Sequence, residues 1–116
     1  MSNEVTKKIL DEMLDLSVGV VKLLEKSHMN RSIADQLIRS VTSIGANYSE
    51  AQDASSKRDF LNKIYISKKE ASETIYWLAL IEKLGEDPKL TEPFREKTQK
   101  FLMMLQKIIN STKEKS

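Results

Sequence analysis

The 116-residue chain has no cysteine, one histidine, three glycines and two prolines. Without cysteine it cannot form a disulfide framework, a thiol nucleophile or a cysteine-based zinc site. The single histidine, His28, excludes the paired Glu-x-x-His motifs of a di-iron bundle and leaves most general-base schemes without a base. No Ser-His-acid set, Walker loop or G-x-G-x-x-G motif occurs. The sequence therefore predicts no catalytic site, no metal site and no cofactor.

The chain also lacks an excess of one charge, because 19 Lys and Arg side chains face 17 Asp and Glu, a net charge of +2. Global charge thus neither requires nor excludes a nucleic-acid partner. No run of about 18 apolar residues occurs, so we expect no transmembrane helix. Acidic residues interrupt the apolar positions of the first fifteen residues, so we expect no secretory signal peptide. These features predict a soluble protein of the cytoplasm with no membrane partner.

Apolar residues recur at three- and four-residue steps along most of the chain, which is the period of an amphipathic helix. In the first such segment the apolar face contains Ile9, Leu10, Met13, Leu14, Leu16, Val20, Val21 and Leu24. We predict one domain spanning residues 1–116, with helices over residues 4–25, 30–52, 57–84 and 91–110. Because short loops join antiparallel neighbours, the predicted fold class is all-α, an antiparallel up-down-up-down four-helix bundle.

Small polar residues mark the expected helix starts. Ser2 or Asn3 can cap the first helix. Ser56 followed by Asp59 resembles a capping box at the start of the third helix, with aspartate in place of the usual glutamate. Thr91 is predicted to cap the fourth helix.

Two glycines have positional meaning. Gly85 follows an apolar helical run, which is the usual place of a C-terminal cap. Gly45 lies inside the second predicted helix, where it costs about 1 kcal/mol relative to alanine. We expect Gly45, together with Ala46, to mark the close approach of a neighbouring helix.

The third predicted helix has more apolar surface than a single packing contact needs. One stripe contains Phe60, Ile64, Ala71, Ile75, Leu78 and Ile81, and a second contains Ile66, Trp77, Leu80 and Leu84. Such a helix is typically buried on more than one side. Because each helix of a monomeric four-helix bundle keeps a solvated face, we expect the surplus to mediate self-association.

Several polar side chains lie beside the apolar stripes, where partly buried charges need partners. Asn47 and Glu50 lie beside the apolar stripe of the second helix. Glu70 and Glu73 lie on the second stripe of the third helix, one or two turns before Trp77. Lys69 is a candidate partner of Glu73, and Arg39 and Lys63 are candidates for the other two carboxylates. Two interpretations stay open, a polar network that fixes helix register or a subunit interface, and a binding pocket.

Basic residues cluster at the start of the third helix and near the end of the fourth. The candidates for contacts with nucleic-acid phosphates are Lys57, Arg58, Lys63, Lys68, Lys107 and Lys113. Solvated helix faces have the same composition, so this interpretation stays open as well. Tyr65, Tyr76 and Trp77 are embedded in the apolar pattern, and we expect them in the core or in an interface rather than stacked on bases.

Four segments resemble the signatures of a known family. Residues 36–39 read Gln-Leu-Ile-Arg and residues 42–51 read Thr-Ser-Ile-Gly-Ala-Asn-Tyr-Ser-Glu-Ala. They resemble the second-helix signature of the small "four helix bundle protein" family, whose founding members are encoded within intervening sequences of bacterial 23S ribosomal RNA genes. On the third helix, Ser-Lys-Arg-Asp-Phe at 56–60 and Lys-Glu-Ala-Ser-Glu-Thr-Ile-Tyr-Trp-Leu at 69–78 resemble its second signature. The resemblance covers about residues 14–84, and the fourth helix by pattern alone.

This resemblance implies a bundle that assembles as a ring-shaped homopentamer and has no established catalytic residues. It implies a structural or interface role for the residues that match its motifs, Arg39, Asn47, Glu50, Glu70 and Glu73. A related group, the accessory proteins of diversity-generating retroelements, forms similar pentamers that bind a reverse transcriptase and nucleic acid. By analogy of fold, the implied partners are RNA or DNA and a protein such as a reverse transcriptase.

Three functions stay open from the sequence. The first is a non-catalytic, homo-oligomeric nucleic-acid-binding or ribonucleoprotein accessory module, which the resemblance and the basic clusters favour. The second is a protein-interaction scaffold with no nucleic-acid role, which the surplus apolar surface favours. The third is a small enzyme, for which the sequence offers no positive feature.

Overall fold

The computed structural model of the protein describes residues 3–115, which form four α-helices. These are α1 (Asn3–Glu25), α2 (Arg31–Gln52), α3 (Lys57–Lys83) and α4 (Pro88–Glu114). Consecutive helices pack against each other and α1 also contacts α4, so the chain is an antiparallel up-down-up-down bundle 48 Å long and 22 by 21 Å across. The described residues contain no strand. None of the described helices has the length and apolar character needed to cross a membrane.

The starts of α2 and α3 follow the local chemistry of the sequence. The Asn30 side chain accepts a hydrogen bond from the backbone N–H of Ile33 at 3.2 Å. At α3 the Ser56 hydroxyl accepts one from the N–H of Asp59 at 3.0 Å, which confirms the predicted cap. The Asp59 carboxylate accepts in return from the N–H of Ser55 at 3.2 Å, so the reciprocal bond is made one residue earlier than in a standard capping box.

The predicted start of the fourth helix was wrong. α4 begins at Pro88, and the Asp87 side chain caps it by accepting a hydrogen bond from a first-turn N–H at 2.9 Å. Proline fits the first helical position because its missing N–H would have no partner there. Thr91, the predicted cap, lies inside the helix and is fully buried. The candidate caps of α1, Ser2 and the side chain of Asn3, lie outside what the structure describes.

Gly85 ends α3 as the sequence predicts. Its φ is +119°, a backbone conformation that side chains with a Cβ rarely adopt. The N–H of Glu86 donates to the carbonyl of Ile81 at 2.9 Å, and the N–H of Gly85 donates to the carbonyl of Glu82 at 3.1 Å. This pair of bonds is the Schellman arrangement, which satisfies carbonyls at a helix end.

All four helices contribute to one apolar core. Its largest fully buried side chains include Met13, Val20, Leu37, Val41, Ile44, Tyr48, Ile64, Leu78, Ile81, Leu105 and Ile109. The predicted burial is wrong for two residues of the stripes, because Leu14 and Leu84 remain 61% and 54% exposed. Leu14 lies about 100° round α1 from the buried Met13, at the exposed edge of the groove between α1 and α2. Leu84 follows the last residue of α3.

The surplus apolar surface of α3 has an explanation within one chain. α3 packs extensively on both α2 and α4, whereas α1 packs mainly on α2 and contacts α4 much less. Two neighbours account for two stripes, and the side chains of the second stripe that are half-buried are Ile66, Trp77 and Leu80. The apolar stripes of α3 therefore do not by themselves require a second subunit. Apolar side chains of α1 are more exposed, namely Val5, Leu14 and Val18.

Candidate nucleic-acid interface

Polar side chains of α2 and α3 form a connected network, here called the Arg39 network, made of Gln36, Arg39, Glu70, Glu73 and Trp77. The Arg39 guanidinium donates to Glu70 Oε1 at 3.0 Å and to the Glu73 carboxylate, and its Nε donates to Gln36 Oε1 at 3.1 Å. The Trp77 indole N–H donates to Glu73 Oε2 at 2.9 Å. The partners of Glu73 are thus Arg39 and Trp77, and the expected pair with Lys69 does not form among the described residues.

Buried hydroxyls behind this network join the same two helices. The Thr74 hydroxyl lies 2.9 Å from the Ser40 hydroxyl, and the Ser67 hydroxyl donates to the Ile44 carbonyl at 2.8 Å. Each cross-helix bond is lost if α2 slides along α3, so these contacts favour the register interpretation of the polar residues. Four surface depressions of the described residues are lined by side chains outside the Arg39 network, so they give the binding-pocket interpretation no support.

The remaining polar candidates are satisfied locally. The Asn47 amide donates to the Ser43 carbonyl of its own helix at 2.9 Å. Glu50 forms an ion pair with Lys63 at 2.9 Å, and this charged hydrogen bond raises the pKa of Lys63 above its ordinary value. Lys63, predicted as a phosphate contact, is thus turned toward α2 and neutralised there.

Ion pairs also neutralise cations of α4 along the length of the bundle. Lys97 pairs with Glu12 at 2.6 Å, and Arg95 pairs with Glu82 at 2.7 Å. The hydrogen bond from Lys97 lowers the pKa of Glu12 below its ordinary value. Such cations bring no unbalanced positive charge to the surface.

The cations at the end of the bundle where α3 starts and α4 ends are held differently. The Lys57 ammonium donates to the backbone carbonyl of Lys115, and the Lys113 ammonium lies 5.5 Å from the ring centroid of Tyr65. A carbonyl and an aromatic ring fix the position of an ammonium without cancelling its charge. Arg58 is exposed beside Lys57. We call Lys57, Arg58, Tyr65, Lys113 and Lys115 the basic end.

No ion pair joins the cations of the basic end to a side-chain carboxylate of residues 4–115. The other two predicted phosphate contacts, Lys68 and Lys107, differ in where helical geometry places them relative to the basic end. Lys68 lies about 20° round α3 from Lys57, and therefore on the same side of that helix. Lys107 lies about 120° round α4 from Lys113, on a different side.

A depression of about 940 Å³ opens at the basic end, and its lining includes Lys57, Arg58, Asn62 and Tyr65. Tyr65 is 39% exposed. Tyr76 is 61% exposed, so Tyr65 and Tyr76 both lie outside the core of the single chain, and their expected place in a subunit interface stays a prediction. Tyrosine has an apolar ring and a polar tip, so an apolar sequence pattern does not require its burial.

An apolar groove of about 320 Å³ runs between α1 and α2. A Cβ on Gly45 would lie 3.3 Å from Met13 Cβ, which confirms that this glycine marks a close helix approach. The Ser17 hydroxyl donates to the Val41 carbonyl at 3.2 Å across the same contact. The exposed Leu14 forms part of the groove lining.

No cluster of three or more histidine, aspartate or glutamate side chains able to hold a metal ion occurs within the part of the chain that the structure describes. The described surface offers fixed cations, two exposed tyrosines and an apolar groove.

Comparison with known proteins agrees with the bundle. The model of a family described as the 23S rRNA-intervening sequence protein matches residues 5–111. A crystal structure from Bacteroides thetaiotaomicron, described as a protein with unknown function from the S23 ribosomal protein family, is 35% identical with a TM-score of 0.81. The alignment covers 87% of this chain and 97% of that one. No curated protein matches the sequence significantly.

Proposed function

The chain belongs to the 23S rRNA-intervening sequence protein family, and from that premise we propose that it is a non-catalytic homo-oligomeric bundle that binds nucleic acid through its basic end. The observation that supports this most is the way Lys57 and Lys113 are held, by a carbonyl and an aromatic ring rather than by carboxylates. Neither the family description nor that of the solved relative names a reaction.

Phosphate binding by fixed cations has a defined physical signature. Each phosphate that a Lys or Arg neutralises releases condensed counterions. The logarithm of the association constant therefore falls with the logarithm of the salt concentration, with a slope of about 0.7 to 0.9 per phosphate contact. The basic end offers four such cations per chain, Lys57, Arg58, Lys113 and Lys115. A ring of several chains, as the resemblance implies, would multiply these contacts through multivalency. Such a module would act in the cytoplasm as a ribonucleoprotein accessory component.

The test is fluorescence anisotropy with labelled RNA and DNA between about 50 and 200 mM salt. A Lys57→Gln/Arg58→Gln/Lys113→Gln variant should bind at least about tenfold more weakly, with a salt slope smaller by about 2 to 3. The matched control removes three exposed cations at the opposite end of the 48 Å bundle, Lys22→Gln/Lys83→Gln/Lys89→Gln, and should change affinity little. Absence of binding at low salt, or equal losses in both variants, would refute the proposal.

Assembly is tested separately. The proposed ring predicts that light scattering gives a multiple of the 13.3 kDa chain mass, five for a homopentamer. A mass of one chain at micromolar concentration would contradict it, whatever the outcome for nucleic acid.

A protein-interaction scaffold is the second candidate, and the groove between α1 and α2 favours it. The groove is largely apolar, and Leu14 at its edge is 61% exposed. A partner protein, for example a reverse transcriptase as in the related accessory proteins, would cover this surface. Purification from lysate should then recover such a partner with the wild type and lose it with Leu14→Glu. Recovery of copies of the same chain alone would count against this candidate.

A further inference from the structure

We infer that the basic end binds single-stranded RNA or DNA, with an unpaired base stacked on Tyr65. This inference rests on the proposed nucleic-acid binding and names the substrate class of that site. It depends on the position of the Tyr65 ring among the cations of the basic end. Phosphate binding by those cations does not itself require this ring.

Tyr65, in the first half of α3, differs from the two aromatic side chains of its second half, Tyr76 and Trp77. The rings of Tyr76 and Trp77 contact each other edge to face at 5.2 Å between centroids, and the Trp77 N–H is bound by Glu73. Tyr65 instead carries the Lys113 ammonium against its ring and keeps 39% of its surface exposed. Of these three rings it is the one that belongs to the cationic surface.

An exposed ring beside fixed cations matches the two requirements of a single strand. Cations track the phosphates, while the ring stacks on a base whatever its identity, because every base has a π-face. In a duplex the faces of the bases are covered by neighbouring base pairs, so no base face is free to stack on the ring. The ring therefore predicts a preference for unpaired nucleotides, whereas the lysines alone would bind both forms.

The shape of the basic end agrees with a chain that passes across it. The depression of about 940 Å³ is lined largely by exposed residues and opens to solvent, so it does not enclose a small ligand. Lys57 and Lys68 share the side of α3 that carries Tyr65, which extends the cationic surface along the helix.

The backbone start of α3 is not part of the proposed contact. Ser56 caps the first turn, and the Asp59 carboxylate is held by the N–H of Ser55. Asp59 lies about 120° round the helix from Tyr65. Its carboxylate lines the same depression as Lys57 and Tyr65, so its negative charge disfavours a phosphate next to it and favours a path nearer to Lys113.

The test compares three labelled probes of about ten nucleotides, a length within the range of known single-strand sites. They are a thymidine oligonucleotide, an abasic strand with the same phosphates, and a duplex. The wild type should bind the thymidine strand about 5- to 150-fold more tightly than the abasic strand, which is the range for one stacked base. Tyr65→Leu should abolish that difference, and Tyr65→Phe should keep it.

Tyr76→Leu is the matched control, because it removes an exposed tyrosine from the same helix away from the basic end, and it should leave the difference unchanged. If the abasic and thymidine strands bind equally while Lys57→Gln/Arg58→Gln/Lys113→Gln still weakens binding, the stacking inference is overturned and the proposed function stands. A duplex bound more tightly than the thymidine strand, with Tyr65→Leu silent, has the same meaning. If no probe binds, the proposed function fails as well.

Discussion

Arg39 of α2 and Glu70 of α3 form an ion pair across 3.0 Å in which the two partners are unequally covered. The glutamate side chain is 10% exposed and the arginine side chain is 45% exposed. A buried carboxylate without a partner is costly, whereas an exposed guanidinium is readily solvated. We therefore expect the loss of Arg39 to destabilise the protein more than its exposed position alone would predict.

Arg39→Gln should lower the free energy of unfolding by about 1–3 kcal/mol, because it leaves the Glu70 carboxylate without its cation. Glu70→Gln should cost less, since an amide tolerates burial better than a charge. The double variant should be more stable than the sum of the single losses predicts. Urea unfolding of the four proteins measures this cycle. Strict additivity would show that the ion pair makes no energetic contribution.

Gly45→Leu should destabilise the protein by about 1–3 kcal/mol, because the added side chain overpacks the contact with Met13. Ala46→Leu is the matched control, since its neighbouring position on α2 is exposed, and it should change stability by less than about 0.5 kcal/mol. Thermal or urea unfolding distinguishes the two. Equal effects would mean that α1 does not approach α2 as closely as the structure has it.

Tyr48 should make the protein sensitive to alkali. Burial raises the pKa of its hydroxyl above the ordinary value of 10.0, and the nearby Thr6 opposes this only in part. Above about pH 10 the unfolded chain releases this proton while the folded protein keeps it, so the contribution to stability present below pH 10 is lost as pH rises. Tyr48→Phe should show a smaller fall in unfolding free energy between about pH 8 and pH 11. Parallel curves for both proteins would refute the assignment.

Thr91 should control the acidity of Glu82. The Thr91 hydroxyl donates to the Glu82 carboxylate at 2.7 Å, and this bond, followed by Arg95, lowers the pKa of Glu82 below 4.5. The stability from these contacts is present above about pH 4.5 and is lost as pH falls through the lowered pKa.

Thr91→Val should therefore raise the pKa of Glu82, as measured by carbon NMR titration of its carboxyl group. Thr98→Val is the matched control, because Thr98 is also buried in α4 but donates to the Phe94 carbonyl of its own helix. A Glu82 pKa that moves equally in both variants would contradict the direct role of the Thr91 hydroxyl.

The sequence predicted the helices well because breakers are few and the apolar period is regular. It also predicted the family, since the resemblance at residues 36–51 and 69–78 is confirmed by a family match over residues 5–111. The start of α4 was misplaced because Asp87 and Thr91 are both residue types that cap helices. What separates them is the bond from Thr91 to Glu82 of the preceding helix, a contact that the local sequence does not contain.

The basic end was visible in the sequence only in part. Helical geometry alone places Lys57, Tyr65 and Lys68 on one side of α3, so the part of the cationic surface that α3 contributes could be predicted from the sequence. The approach of Lys113 depends on how α4 packs along α3, and the capture of Lys63 by Glu50 depends on α2. Tertiary packing therefore decided which lysines keep an unbalanced charge and which aromatic ring joins them.

The unequal packing of the helices has a consequence for motion. α1 rests mainly on α2, whereas α3 packs extensively on both α2 and α4 and also forms hydrogen bonds to α2. Segments with fewer buried contacts open at lower free energy, so amide hydrogens of α1 should exchange with solvent sooner than those in the middle of α2 and α3. Undocking of α1 would uncover the core side of Val41 and Ile44 while α3 and α4, with the basic end between them, stay folded. Local unfolding of α1 should therefore leave the proposed binding surface intact.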